Sequence, residues 1–194
     1  TIYRSELNDK GYTSSTGQGG FGKTDGIDAL HQGLELEIRI KPTNKLKIKL
    51  MGSIGDWKWK DDALFDYYDR DQNYLYSDTV YIDDVNVGDG AQTTAAIGVE
   101  YRPLPGLKVA MDFNHYSRLF AQFDVEERIE ASSSGVNSWK MPDYNLLDFN
   151  ASYDFDFAGF NATIYGRIHN ILDTEYISDA RDGKEHNAET SPVY

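Results

Sequence analysis

The sequence predicts an all-β chain, an antiparallel up-and-down meander, and three observations carry that prediction. Apolar and polar residues alternate with period 2 over several stretches. The stretches come in pairs joined by short links rich in Pro, Gly, Asn and Asp. Longer polar segments separate one pair from the next.

In the first pair, Leu34, Leu36, Ile38 and Ile40 alternate with Glu35, Glu37 and Arg39. After Pro42, Thr43 and Asn44 come Leu46, Ile48 and Leu50, alternating with Lys47 and Lys49. In the second pair, Ala95, Ile97, Val99 and Tyr101 precede Pro103, Leu104, Pro105 and Gly106, and Leu107, Val109, Met111 and Phe113 follow. In the third, Leu147, Phe149, Ala151, Tyr153 and Phe155 lead through residues 156–159 to Phe160, Ala162, Ile164 and Ile168.

Opposed residues of an antiparallel pair share a face, so parity tests each hairpin. Pairing Ile40 with Leu46, Tyr101 with Leu107, and Phe155 with Phe160 keeps apolar residues together in all three. The second register also sets Glu100 opposite Lys108. About six strands follow. The links at 42–45, 102–106 and 156–159 are short, whereas residues 1–32, 57–91, 118–144 and 172–194 read as long loops. In a meander alternate connections emerge together, so all the long loops fall at one end.

Composition narrows the classes. The 194 residues carry 19 Lys and Arg against 32 Asp and Glu, a net charge of -13. That acidity argues against nucleic acid as a partner, because phosphate contacts need clustered Lys and Arg. There is no Cys, hence no disulfide scaffold or thiolate metal site. No apolar run is long enough for a transmembrane helix. The start at Thr1, Ile2, Tyr3 and Arg4 does not read as a signal peptide.

Period 2 leaves open whether the apolar face meets a core or lipid. A soluble barrel or sandwich would turn it inward. A transmembrane β-barrel would turn it outward, with short turns at one rim and long loops at the other. Strands of about nine residues, tilted about 40°, span roughly 23 Å, close to the apolar band of such barrels. Trp57, Trp59 and Tyr116 stand at the long-loop ends and Tyr101, Phe155, Phe157 and Phe160 at the short-turn ends, as two aromatic girdles would require. Strict alternation puts Trp57, Trp59 and Tyr116 on the polar face unless a bulge shifts them. Six strands close no membrane barrel, so on this reading the chain is part of a longer wall.

The 61–90 segment holds nine Asp and one basic residue, Arg70, or -8 of the -13. It reads either as a solvated acidic loop or as a surface for a divalent cation or ligand. Asp69, Asp71 and Asn73 have the first ligand spacings of a calcium loop, but Tyr74 stands where Gly is needed and Val80 where the closing Glu belongs. Tyr67, Tyr68, Tyr74 and Tyr76 are candidates to face a ligand. His31, His115, His169 and His186 lack the helical spacing of a zinc site, and His169 is expected on the lumen side. The glycines at 17, 19, 20 and 22 read as a flexible loop. No nucleophile motif or Walker sequence appears, so no enzyme is expected, and no cofactor beyond the calcium candidate.

Three segments carry a resemblance. The strand from Gly33 through Leu34, Glu35, Leu36 and Glu37, the run from Pro142 and Tyr144 into Tyr153, and above all Asn170, Ile171, Leu172, Asp173 and Tyr176 resemble segments of TonB-dependent outer-membrane receptors. The run Val87, Gly88, Asp89, Gly90, Ala91 and Gln92 is similar to Bacteroidetes-type members. The resemblance spans about residues 29–180. It implies a 22-stranded barrel in the outer membrane of a Gram-negative bacterium, in contact with outer-membrane lipids. It also implies import of a scarce nutrient, driven by the TonB complex through a plug domain absent here together with the last strand. A surface lipoprotein partner is a further implication. The alternative is a soluble all-β binding module with an acidic, calcium-binding loop.

Overall fold

A computed structural model describes residues 1–16 and 19–182. Nine strands run through it: β1 (Ile2–Ser15), β2 (Phe21–Thr43), β3 (Leu46–Trp59), β4 (Ala63–Tyr68), β5 (Tyr74–Val80), β6 (Thr93–Tyr101), β7 (Leu107–Ser117), β8 (Tyr144–Phe157) and β9 (Phe160–Ile168). All pair antiparallel in one sheet ordered β5-β4-β2-β3-β6-β7-β8-β9, with β1 also on β2. The sheet is not closed. No α-helix occurs among the described residues, and two single 3₁₀ turns lie at Val125–Glu127 and Ala131–Ser133.

The three expected hairpins are β2–β3, β6–β7 and β8–β9. Each keeps its expected faces, but each register lies two residues from the expected one. Ile40 faces Ile48, Tyr101 faces Val109 and Phe157 faces Phe160. A shift of two preserves the face of every side chain. Glu100 therefore stands opposite Ala110 rather than Lys108. Its carboxylate pairs with Lys47 on β3 at 3.0 Å and with Arg102 at 3.1 Å.

Three strands lie where loops were expected. Residues 1–32 form most of the β1–β2 hairpin, from Ile2 opposite Leu34 to Ser15 opposite Phe21. The Gly-rich stretch enters it, with Gly22 paired to Ser14, while residues 17–18 lie outside the described chain. The 57–91 loop contains the β4–β5 hairpin, docked on β2 through Phe21–Tyr68, Gly22–Tyr67 and Lys23–Asp66. The expected 172–194 loop is described only to residue 182, so His186 lies outside.

The lower sheet has two unlike faces. Ile40, Ile48, Val99, Met111, Phe149 and Ile168 form one rung across six strands. Ile38, Leu50, Ile97, Phe113 and Leu147 form the next. Leu36, Ile97 and Ile168 on this face are 60%, 48% and 58% exposed. The opposite face carries Arg39, Lys49, Asp112 and Asp148 along one rung. The buried core lies above these rungs, at the loop end.

Candidate functional site

At the loop end the polar face turns aromatic. Trp59 stands opposite Ala29 and Trp57 opposite His31, on the face that also carries Glu35 and Glu37. Tyr116, paired with Thr94 and Tyr144, shares that face. No bulge moves these three outward, so the upper girdle expected of them is absent. They serve instead as the floor on which the loops fold.

Two cores form there. Ile27, Trp59, Phe65, Val80, Ile82, Val85, Phe123 and Val125 are buried together, uniting β2, β3 and the β4–β5 hairpin with residues 123–125. Tyr12 stacks on Phe123 at 4.8 Å and meets Trp59 edge-on at 6.0 Å. The second core gathers Leu119, Ala121, Met141 and Ala180. Beside it Tyr144 is stacked between Tyr116 at 4.8 Å and Tyr176 at 4.4 Å.

Buried polar groups lock the loops down. Gln92 is 1% exposed; its Nε2 donates to Trp57 O at 3.0 Å and its Oε1 accepts from Trp57 N at 3.2 Å. Arg118 donates to Gly55 O at 2.8 Å and to Gln92 Oε1 at 3.3 Å. These bonds explain why a Gln ends the 87–92 run. They also explain its glycines, since a Cβ at Gly88 would meet Ala121 O at 2.8 Å and one at Gly90 the Trp57 ring at 2.9 Å. Arg128 and Asp182 form a buried pair at 3.6 Å. Burial lowers the Arg128 pKa, and Asp182 opposes that shift.

Between these parts lies a cleft of about 280 Å³, lined chiefly by Lys10, Tyr12, Trp57, Trp59, Asp89 and Phe123. The Lys10 ammonium sits over the Trp59 ring, 5.6 Å from its centroid. Trp57 stacks on His31 at 5.2 Å and donates to Tyr3 Oη at 2.8 Å. Asp89 accepts a hydrogen bond from Gln122 Nε2. Burial raises its pKa, and the facing Asp179 carboxyl raises it further.

The residues singled out in the sequence have different fates. Asp69 closes a turn: its carboxylate accepts from Asp71 N at 2.9 Å, Asn73 N at 2.8 Å and Asn73 Nδ2 at 3.0 Å. Those bonds lower its pKa. Its lone pairs serve the Asn73 side chain and the turn backbone, and among the described residues no three His, Asp or Glu groups are placed to hold a metal. Tyr67 is a core residue, 2% exposed, whose hydroxyl donates to Val125 O at 3.4 Å, and burial pushes its pKa up. It therefore cannot face a ligand. Tyr68 stacks on Phe21 at 5.1 Å. Tyr74 and Tyr76 are exposed, at 57% and 51%. His169 is on the polar face, with Nδ1 3.2 Å from Asp148 Oδ2.

The sequence reading missed Lys10, Tyr12, Gln122 and Phe123. They come from stretches without alternation, and only the fold brings them to the 87–90 turn. Comparison of this chain with protein-family models and with curated proteins returns no match.

Proposed function

We propose that the chain is a length of the wall of an outer-membrane β-barrel that imports a scarce nutrient, with energy delivered through TonB. One observation carries the membrane part of this reading: apolar rungs run unbroken across five and six strands and stay uncovered on a face whose reverse is charged. An apolar patch this wide costs free energy in water and suits acyl chains. The charged reverse suits a water-filled lumen. A full barrel, of 22 strands in the family resembled, would pair the two open edges and remove the unpaired backbone groups they expose. The transport part rests on the Asn170 to Tyr176 resemblance.

These 194 residues contain no Cys, so with any cysteine elsewhere in the gene product replaced by serine, single cysteines report cleanly. With the complete gene expressed in a Gram-negative host, cysteines at Ile97 and Met111 should be shielded from a water-soluble maleimide, since hydrocarbon excludes the reagent and keeps the thiol protonated. Cysteines at Gly98 and Asp112 should react with it. A buffer-soluble protein with Ile97 and Met111 open to the aqueous reagent would favour the soluble binding module instead. For transport, deleting this gene or the host's TonB should abolish uptake of the same nutrient. Uptake that survives both deletions would refute the importer reading.

A further inference from the structure

We propose that the cleft between β1, β3 and the 87–90 turn binds a small organic ammonium ion, and that Lys10 occupies it in the free chain as an internal stand-in. The walls suit a cation. Tyr12, Trp57, Trp59 and Phe123 supply aromatic rings, and Asp89 supplies a carboxylate. Ring faces attract ammonium groups within about 6 Å, most strongly where water is excluded. Lys10 already uses Trp59 in this way, at 5.6 Å.

The charge balance leaves room for another cation. Asp89 faces Asp179, carboxyl against carboxyl, and Lys10 offsets them only at a distance. Arg181 is committed elsewhere, to Asp124 at 3.3 Å and to the Ser14 hydroxyl. Lys10 stands on a fourteen-residue strand that is exposed along most of its length, so its side chain can leave the ring without disturbing either core. Two residues of the cleft wall, Trp59 and His31, each carry a buried ring nitrogen without a partner, Nε1 and Nε2 respectively. The indole N–H is a donor only, so a ligand with an acceptor oxygen near its ammonium would satisfy it. The acidic 61–90 segment draws cations toward this end of the molecule.

The inference goes beyond the transport reading and does not require it, because binding is measured without a membrane gradient. The full chain, purified in detergent, is titrated with choline while tryptophan emission is followed. Its uncharged isostere 3,3-dimethylbutan-1-ol is the control. Choline should give a saturable change, and the alcohol should bind about tenfold more weakly or worse. Lys10→Met, which removes the internal competitor, should tighten choline binding several-fold. Asp89→Asn should weaken it about tenfold, with Asp89→Glu recovering part of the loss. No saturable response, equal response to the alcohol, or weaker choline binding by Lys10→Met would each overturn the proposal. Because Lys10→Met predicts a gain, misfolding cannot imitate support.

Discussion

The Asn170 carboxamide and the Thr174 backbone are bonded in both directions. Asn170 Nδ2 donates to Thr174 O at 3.0 Å, and Thr174 N donates to Asn170 Oδ1 at 3.0 Å. Asn170 itself has φ near 50°, a region Asn enters more readily than most residues, and its N–H donates to Asp148 Oδ1 at 2.9 Å. The loop so formed swings Tyr176 onto Tyr144. Asn170→Asp keeps the acceptor and loses the donor, leaving Thr174 O without this partner. The expected cost is about 1–3 kcal/mol, read as a lower melting temperature and loss of the Tyr144–Tyr176 contact. Asn170→Gly, which tolerates the backbone but removes both bonds, should be no better.

Arg128 ties the 118–143 loop to the end of the described chain. Beyond Asp182, it donates to Val136 O at 2.8 Å and Ser138 Oγ at 3.2 Å. Arg128→Met removes one partner of the buried Asp182 carboxylate, which keeps the Trp139 N–H at 3.4 Å, and should destabilise the loop layer by about 1–3 kcal/mol. Replacing Asp182 with Leu in the same chain should recover much of that loss. Asp182→Leu alone completes the cycle: a double-variant loss equal to the sum of the two single losses would show that the pair is not coupled.

Much of the lower sheet was legible because one face is apolar and the other charged, which makes parity unambiguous. Register was less legible because the turns depart from what composition suggests in both directions: the Tyr101–Val109 pair encloses a wider turn than the expected Tyr101–Leu107, and the Phe157–Phe160 pair a tighter one than Phe155–Phe160. Ala158 and Gly159, with φ of 52° and 83°, turn β8 into β9 in two residues, although Ala seldom adopts positive φ. The upper strands escaped detection for another reason. β1 is exposed along most of its length, so nothing imposes alternation on Ile2–Ser15. β4 and β5 hide among nine Asp, and the buried alternation of Ala63, Phe65 and Tyr67 is only three residues deep. The cleft was not legible at all, since its walls are separated by up to 113 residues, from Lys10 to Phe123.

Asp89 gives the loop layer a pH dependence with a definite sign. Burial, and then Asp179, raise its folded pKa, Gln122 and Lys10 opposing them. A carboxyl with a raised folded pKa favours the fold while protonated. That stability is fully present below the unfolded value, about 3.9, and is lost as pH rises through the folded value. Asp89→Asn should remove this component. The melting temperature of the variant relative to the parent should therefore rise between pH 4 and neutrality. A constant difference across that range would mean that Asp89 is not strained in the fold.

Ile97 decides what the apolar face meets. It sits mid-sheet, opposite Leu50 on β3 and Phe113 on β7, and is 48% exposed. An exposed position in water tolerates most changes within about 0.5 kcal/mol. The same position at the middle of a bilayer does not: Arg there costs about 2–4 kcal/mol, falling toward zero near the interfaces. Ile97→Arg should therefore destabilise a membrane-inserted chain by that amount, whereas Tyr101→Arg, at the short-turn rim of the same strand, should cost far less. Reversible unfolding from lipid vesicles measures both. A depth-dependent penalty would place the rung in hydrocarbon, and equal small penalties would place it in water.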